Sequence, residues 1–323
     1  MNGALHLRNA IGLLAGLLLG ATVAVAQNFP IKPVRIVTAE PGGGNDLAAR
    51  LLAQGLTAAF GQQVIVEARG GGSGALAAQA VARAAPDGHT LLLYSSALWI
   101  LPLMKTVAWD PAKDFSPVIL AAMAPNILVV HPSLPVASVK ALAALARARP
   151  GELNYAFGAT GSAMHLGAEL FKAMMHVDIV RVPFKGTSPG LTALMAGQVQ
   201  LMFPAAGGAM LHVKSGRLKA LAVTSAHPTE LAPGMPTMAS AGLPGFEAVS
   251  TYGMFAPAKT PPEIIARINQ EALRVLARTE VKERFFSAGV ETFGGSPEDF
   301  AAIMKSDFLR WGKVIRDAGI REE

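Results

Sequence analysis

The chain has 323 residues, 51% of them hydrophobic, with a formal net charge of +6 and no cysteine. The missing cysteines exclude disulfides and cysteine-ligated metal, so stability must come from buried apolar surface. The basic residues stand singly, as in Arg50, Arg69, Arg83, Arg147, Arg149 and Lys172, which excludes the clustered basic face of a nucleic-acid binder.

The first segment reads as an export signal. Arg8 supplies the positive n-region, 11–25 is a nearly uncharged Leu/Ala/Gly/Val run, and Ala24-Val25-Ala26 offers a small-x-small cleavage site before Gln27. That run falls short of the roughly 20 residues needed to cross a bilayer. A mature chain starting near Gln27 in the periplasm is therefore expected.

From there, short β-branched runs alternate with Ala/Leu helices. The pattern predicts a strand over 34–38, a glycine turn, and a helix over 47–60 with Leu52, Leu56 and Phe60 on one face. A strand over 64–67 and a helix over 76–84 follow, closed by Pro86-Asp87-Gly88. The strand over 90–94 is too apolar to face water on either side, as in a parallel sheet covered on both faces. A second α/β block begins at Asn126, with strands over 127–130, 153–156, 179–182, 199–203 and 220–224. Its helices are expected over 138–147 (Ser138 capping), 164–174 and 190–195, and the proline-rich stretch 228–244 reads as a surface excursion. The remainder adds a strand over 252–256 and a helix opened by Pro261-Pro262-Glu263. Ser296-Pro297-Glu298-Asp299 then starts a last helix, whose Phe300, Met304, Phe308, Trp311 and Ile315 form a docking stripe.

Three loops share one design: a buried strand ends, small residues follow, and a helix begins. In the first, Gly42, Gly43 and Gly44 let backbone N–H groups form a concave nest beside Asn45 and Asp46. An ordinary tight turn with Asp46 as helix cap satisfies the same residues. In the second, Thr160, Gly161 and Ser162 set hydroxyls beside helix-start amides. His165 follows there, a position where a structural hydrogen bond competes with a ligand contact. The third places Lys185, Gly186 and Thr187 beyond a buried strand, although Lys185 also reads as a plain surface lysine. Ser95 and Ser96 follow the strand over 90–94. All lie at carboxyl ends of expected parallel strands, where open α/β sheets hold ligands, and small oxyanions fit such sites. No Walker A or HExxH sequence occurs, and the loose GxGxxA over 70–75 is a weak dinucleotide signal. No cofactor, metal or catalytic residue is expected; an exported α/β hydrolase or oxidoreductase is the alternative.

Taken in order, these stretches resemble the Bug family, the solute receptors of tripartite tricarboxylate transporters. The resemblance rests on Pro41-Gly42-Gly43-Gly44-Asn45-Asp46 with Ala49-Arg50, Ala85-Pro86-Asp87-Gly88, and Trp109-Asp110-Pro111 with Asp114-Phe115. Asn154-Tyr155-Ala156, Gly161-Ser162 with His165-Leu166, Val182-Pro183-Phe184-Lys185-Gly186 and Gly197-Gln198-Val199-Gln200 continue it. It implies two Rossmann-like domains of the type II periplasmic binding-protein kind, joined by crossing strands and closing over a ligand. Residues 27–125 with 252–323 would form one domain, and 126–251 the other. It implies a small carboxylate ligand, membrane transporter subunits or a sensor kinase as partners, no nucleic acid and a monomer. Two departures stand out. Glu40 replaces the phenylalanine that many members carry before the glycine loop, and Pro204 stands where many carry an acid. The second implies a less polar pocket end and a ligand without an ammonium group.

Overall fold

The computed structural model describes residues 29–39, 41–71, 74–317 and 320. The expected export signal over 1–26, Glu40, and Gly72 and Ser73 of the glycine run lie outside the described residues.

The strands form two sheets. In the first, β1 (Val34–Thr38) lies between β2 (Val64–Ala68) and β3 (Thr90–Ser95) and parallel to both, with Ile36 opposite Val66 and Leu91. β10 (Val249–Pro257) pairs antiparallel with β3 and with β4 (Phe115–Pro125), and β11 (Glu291–Thr292) closes that edge. In the second, β6 (Asn154–Phe157) runs parallel to β7 (Val180–Pro183) and β8 (Leu201–Met202). β5 (Ile127–Val130) runs antiparallel between β8 and β9 (Lys219–Val223). The sheets are therefore mixed, where the sequence pattern implied parallel ones. Only Asn126 separates β4 from β5, so the chain passes straight from the first sheet into the second, and β10 returns antiparallel to β4. A buried apolar run carries no sign of its direction.

Alternating residues of each first-sheet strand feed opposite cores, as a period of two requires. Ile36, Leu91 and Leu93 pack on one face with Leu52 and Leu56 of α1 (Gly44–Phe60) and Ile264 and Ile268 of α8 (Pro262–Ala277). Val37, Leu92 and Tyr94 face the other side, against α2 (Ala75–Ala82), α3 (Ala97–Ile100) and α10 (Pro297–Asp317). The second sheet carries α4 (Val139–Ala148), α5 (Ala163–Met175), α6 (Thr187–Met195) and α7 (Ala206–Lys214). Ser138 caps α4 by accepting from Ala141 N–H at 3.1 Å. None of the helices among the described residues is long and apolar enough to cross a membrane.

Five elements escaped the sequence pattern: the 11-residue β4, the single turn α3, α7, α9 (Thr279–Ser287) and the two-residue β11. α9 buries only Val281 and Phe285, too few for a readable stripe. Phe308 leaves the docking stripe of α10; it is 38% exposed while Phe300, Met304, Trp311 and Ile315 are buried. The stretch 228–244 is irregular, yet it is no surface excursion. It buries Ala232, Thr237, Met238 and Leu243, and Thr237 bridges Val223 of β9.

Candidate functional site

A cleft of about 660 Å³ lies between the two sheets, at the carboxyl ends of β1, β3, β6, β7 and β8. Its floor and walls come from the starts of four helices. α1 begins after Gly43, α6 after Gly186 and α7 after Ala205, and none of these three N-cap residues offers a side-chain cap. The first amides of a helix have no intrahelical acceptor and carry the positive end of its dipole. In α1 the first backbone bond runs from Leu47 N–H to Gly43 C=O at 3.0 Å, so the amides of Gly44, Asn45 and Asp46 precede the ladder. Three uncapped starts thus line one cavity, an arrangement that suits an oxyanion.

Asp46 stands third in α1, so it is not the N-cap. Its buried carboxylate accepts from Gly42 N–H at 3.0 Å and Arg50 Nε at 3.0 Å, with Arg50 Nη2 3.0 Å from Oδ1. Those bonds commit the Gly42 amide to Asp46 and fix the turn ahead of the helix. The neighbouring carboxylate holds the Arg50 guanidinium above its ordinary pKa, chiefly through that hydrogen bond. Gly44 is required by close approach: a Cβ there would lie 2.2 Å from the Tyr252 hydroxyl.

Other expected residues divide plainly. Gly42, Gly43, Gly44, Asn45, Asp46, Ser95, Ser162, Gly186 and Thr187 line the cleft. Ser162 does so as the cap of α5, donating to Ala159 C=O at 2.6 Å and accepting from His165 N–H at 3.4 Å. Thr160, Gly161 and His165 lie behind that loop, outside the lining. His165 is fully buried, its ring 4.7 Å from that of Phe157 and its Nδ1 3.4 Å from Gly161 N. Ser96 is buried under α3, Lys185 is exposed outside the lining, and Pro204 is buried at the crossover, its carbonyl accepting from Ile127 N–H. Ala205, Gly207 and Gly208 form the pocket end in place of Pro204.

Sequence reasoning missed the lining from later elements. Leu191 and Met195 of α6, Leu211 and His212 of α7, and Val290 give the cleft an apolar end. Burial, then the Arg217 charge, lowers the His212 pKa, so its imidazole is neutral at pH 7. Ser250 and Tyr252 of β10 complete the floor. Burial pushes the Tyr252 phenol up to about 12, opposed by its hydrogen bond with Ser250. Ser250 Oγ donates to Asn126 Oδ1 at 2.7 Å, and Asn126 Nδ2 donates to Phe203 C=O at 2.6 Å. The fully buried Asn126 thus ties the cleft floor to both sheets. The one available sequence signal was the i,i+4 spacing of Asp46 and Arg50.

The fold is shared with known proteins. Rpa4515 of R. palustris, solved with adipate, superposes with a TM-score of 0.87 at 38% identity, covering 91% of this chain and 99% of that one. MatC of Rhodopseudomonas palustris, solved with malate, gives 0.83 at 32% identity over 89% of this chain and all of the other (100%). Protein BugT of Bordetella pertussis is 35% identical over 300 residues, 92% of each chain. Residues 48–320 match the tripartite tricarboxylate transporter family receptors, TctC, and with these relatives the chain belongs to that family.

Proposed function

We propose that this protein is an exported receptor that captures a small carboxylate in the cleft and presents it to membrane transporter subunits or a sensor. The observation that carries the reading is the convergence of three uncapped helix starts on one cavity. Amides held by the fold are already oriented toward an anion, so binding a carboxylate there requires little reorganisation. Adipate and malate, the ligands solved with two structural relatives, support that chemistry.

In this reading residues 27–125 and 252–323 form one domain and 126–251 the other. Asn126 is the hinge between them, and the ligand favours closure only by binding the closed form more tightly. The protein works as a monomer in the periplasm after losing residues 1–26, and it catalyses no reaction. Gly43, Gly44, Asn45, Gly186 and Thr187 contact the carboxylate, while Asp46 and Ser162 shape their loops.

A thermal-shift screen of the mature protein against organic acids tests this. A ligand at 100-fold its Kd stabilises by about 2.7 kcal/mol, and the acid is expected to be recovered unchanged. Conversion of the acid into a product, or no stabilisation by any carboxylate, contradicts the reading.

A further inference from the structure

Arg50 is the counter-ion of Asp46 and also lines the ligand cleft. It projects from the second turn of α1, its side chain is 57% exposed, and it faces the same cavity as the helix starts. The pair neutralises a buried carboxylate, that of Asp46. It also fixes the orientation of the guanidinium. Asp46, itself 7% exposed and anchored to Gly42 N–H, takes Nε and one Nη of the guanidinium. A guanidinium carries five N–H donors in a rigid plane. Nε donates to Asp46 Oδ2 and Nη2 lies 3.0 Å from Oδ1, and the guanidinium has no other protein partner among the described residues.

Position and charge give this edge a use. Among the described residues lining the cleft, Arg50 is the one side chain with a permanent positive charge; His212, the other basic group, is held neutral by burial and by Arg217. Along the axis Arg50 lies about 9 Å beyond Gly44, and its pairing with Asp46 folds the guanidinium back toward the helix start. The cleft therefore offers an amide nest and, a short distance away on the same helix, a fixed cation.

We infer that Arg50 is the residue that selects ligands bearing a second anionic group: the amides hold one carboxylate, and the outward edge of the Asp46-clamped guanidinium receives the other. The inference rests on the carboxylate-receptor reading and adds to it the class of ligand, a short linear dianion, and the side chain that discriminates it. Asp46 is the positioning residue, since it acts through Arg50. The apolar wall from Leu191, Met195 and Val290 covers the methylene chain between the two ends.

Adipate and hexanoate have the same number of carbons and differ in the second carboxylate, so their affinity ratio isolates the effect. Calorimetry on the wild-type protein is expected to favour adipate by about tenfold or more, as a charge-assisted hydrogen bond allows. In Arg50→Gln the ratio is expected to fall within about threefold, and in Arg50→Lys, which keeps the charge and loses the fork, to lie between. A purely structural Arg50 would lower both affinities equally and leave the ratio alone; that result overturns the inference. So does equal or tighter binding of hexanoate by the wild type, a measurement that stands even if Arg50→Gln does not fold. Failure of both acids to bind also overturns it, while the broader reading survives if the thermal screen finds another carboxylate.

Discussion

Side chains around the glycine loop act mainly by holding backbone groups in place. Gly44 shows the tolerance involved, because an added methyl would meet the Tyr252 hydroxyl, Cζ and Cε1 at 2.2, 2.7 and 2.8 Å. Tyr252 is buried and cannot swing away. Gly44→Ala should therefore lower stability by about 1–3 kcal/mol and weaken ligand binding together with it, read by denaturant melts and calorimetry. Unchanged affinity in a folded Gly44→Ala protein would place the ligand away from the α1 start.

Tyr252 also sets a pH dependence. Its native pKa of about 12 lies above its ordinary value of 10.0, so the native state holds the phenolic proton where the unfolded chain has released it. The sign follows directly: stability is at full value below pH 10 and declines as pH rises toward 12. The decline should amount to about 2–3 kcal/mol. Tyr252→Phe should flatten this part of the stability profile, measured by urea melts across pH 9 to about 12. A slope identical in both proteins would mean that the phenol ionises as freely in the fold as outside it.

At the scale of helices and strands, position and capping together decide which helix starts are available, since α2, α8 and α9 also lack a side-chain cap but start outside the cleft. α4 starts on Ser138, whose hydroxyl accepts from Ala141 N–H, and α10 starts on Ser296, which exchanges bonds with Asp299 at 2.9 to 3.1 Å. Both helices lie outside the cleft lining. α1, α6 and α7 lack a side-chain cap and face the cleft. Ser138→Ala should then cost about 1 kcal/mol in thermal or urea unfolding and leave ligand affinity unchanged. A change in affinity would couple α4 to the cleft in a way that its position does not explain.

Much of this layer was readable in the residues. Strand β1, helix α1 and its glycine turn follow from β-branched runs, from Leu52 and Leu56 at a four-residue spacing, and from the glycines between them. The inner and outer members of each loop were not separable. Ser95 and Ser96 are chemically identical neighbours, and only the turn into α3 buries Ser96 and leaves Ser95 on the cleft. His165 read as a structural residue ahead of a ligand contact, and its full burial beside the Phe157 ring agrees. Tyr252, Ser250 and Val290 reach the cleft from more than 60 residues beyond the last loop considered, and a distance of that kind leaves no local pattern.

For the whole molecule, the two sheets meet at a point as well as across a cleft. Gly207 at the start of α7 lies against Ala288 and Gly289 after α9; a Cβ on Gly207 would be 2.0 Å from Ala288 C=O. Backbone meets backbone there, so neither side can yield by rotating a side chain. Gly207→Ala should hold the lobes apart. Small-angle scattering of the ligand-saturated variant is expected to give a larger radius of gyration than the saturated wild type, with weaker binding. Equal radii would show that closure does not need this contact. In the proposed two-domain reading, the bonds of Asn126 to Thr224, Ser250 and Phe203 mark the hinge, which favours rotation of intact lobes over deformation within either one.

The central physical claim is that peptide N–H groups at the uncapped starts of α1 and α6 hold the ligand carboxylate. Amide proton and nitrogen shifts recorded during an adipate titration test it most directly, because an N–H that gains a charged acceptor moves strongly. Gly44, Asn45 and Thr187 should show the largest changes, with Lys185 and Ser138 hardly moving. Large changes confined to residues outside the cleft, with those three amides still, would contradict the account.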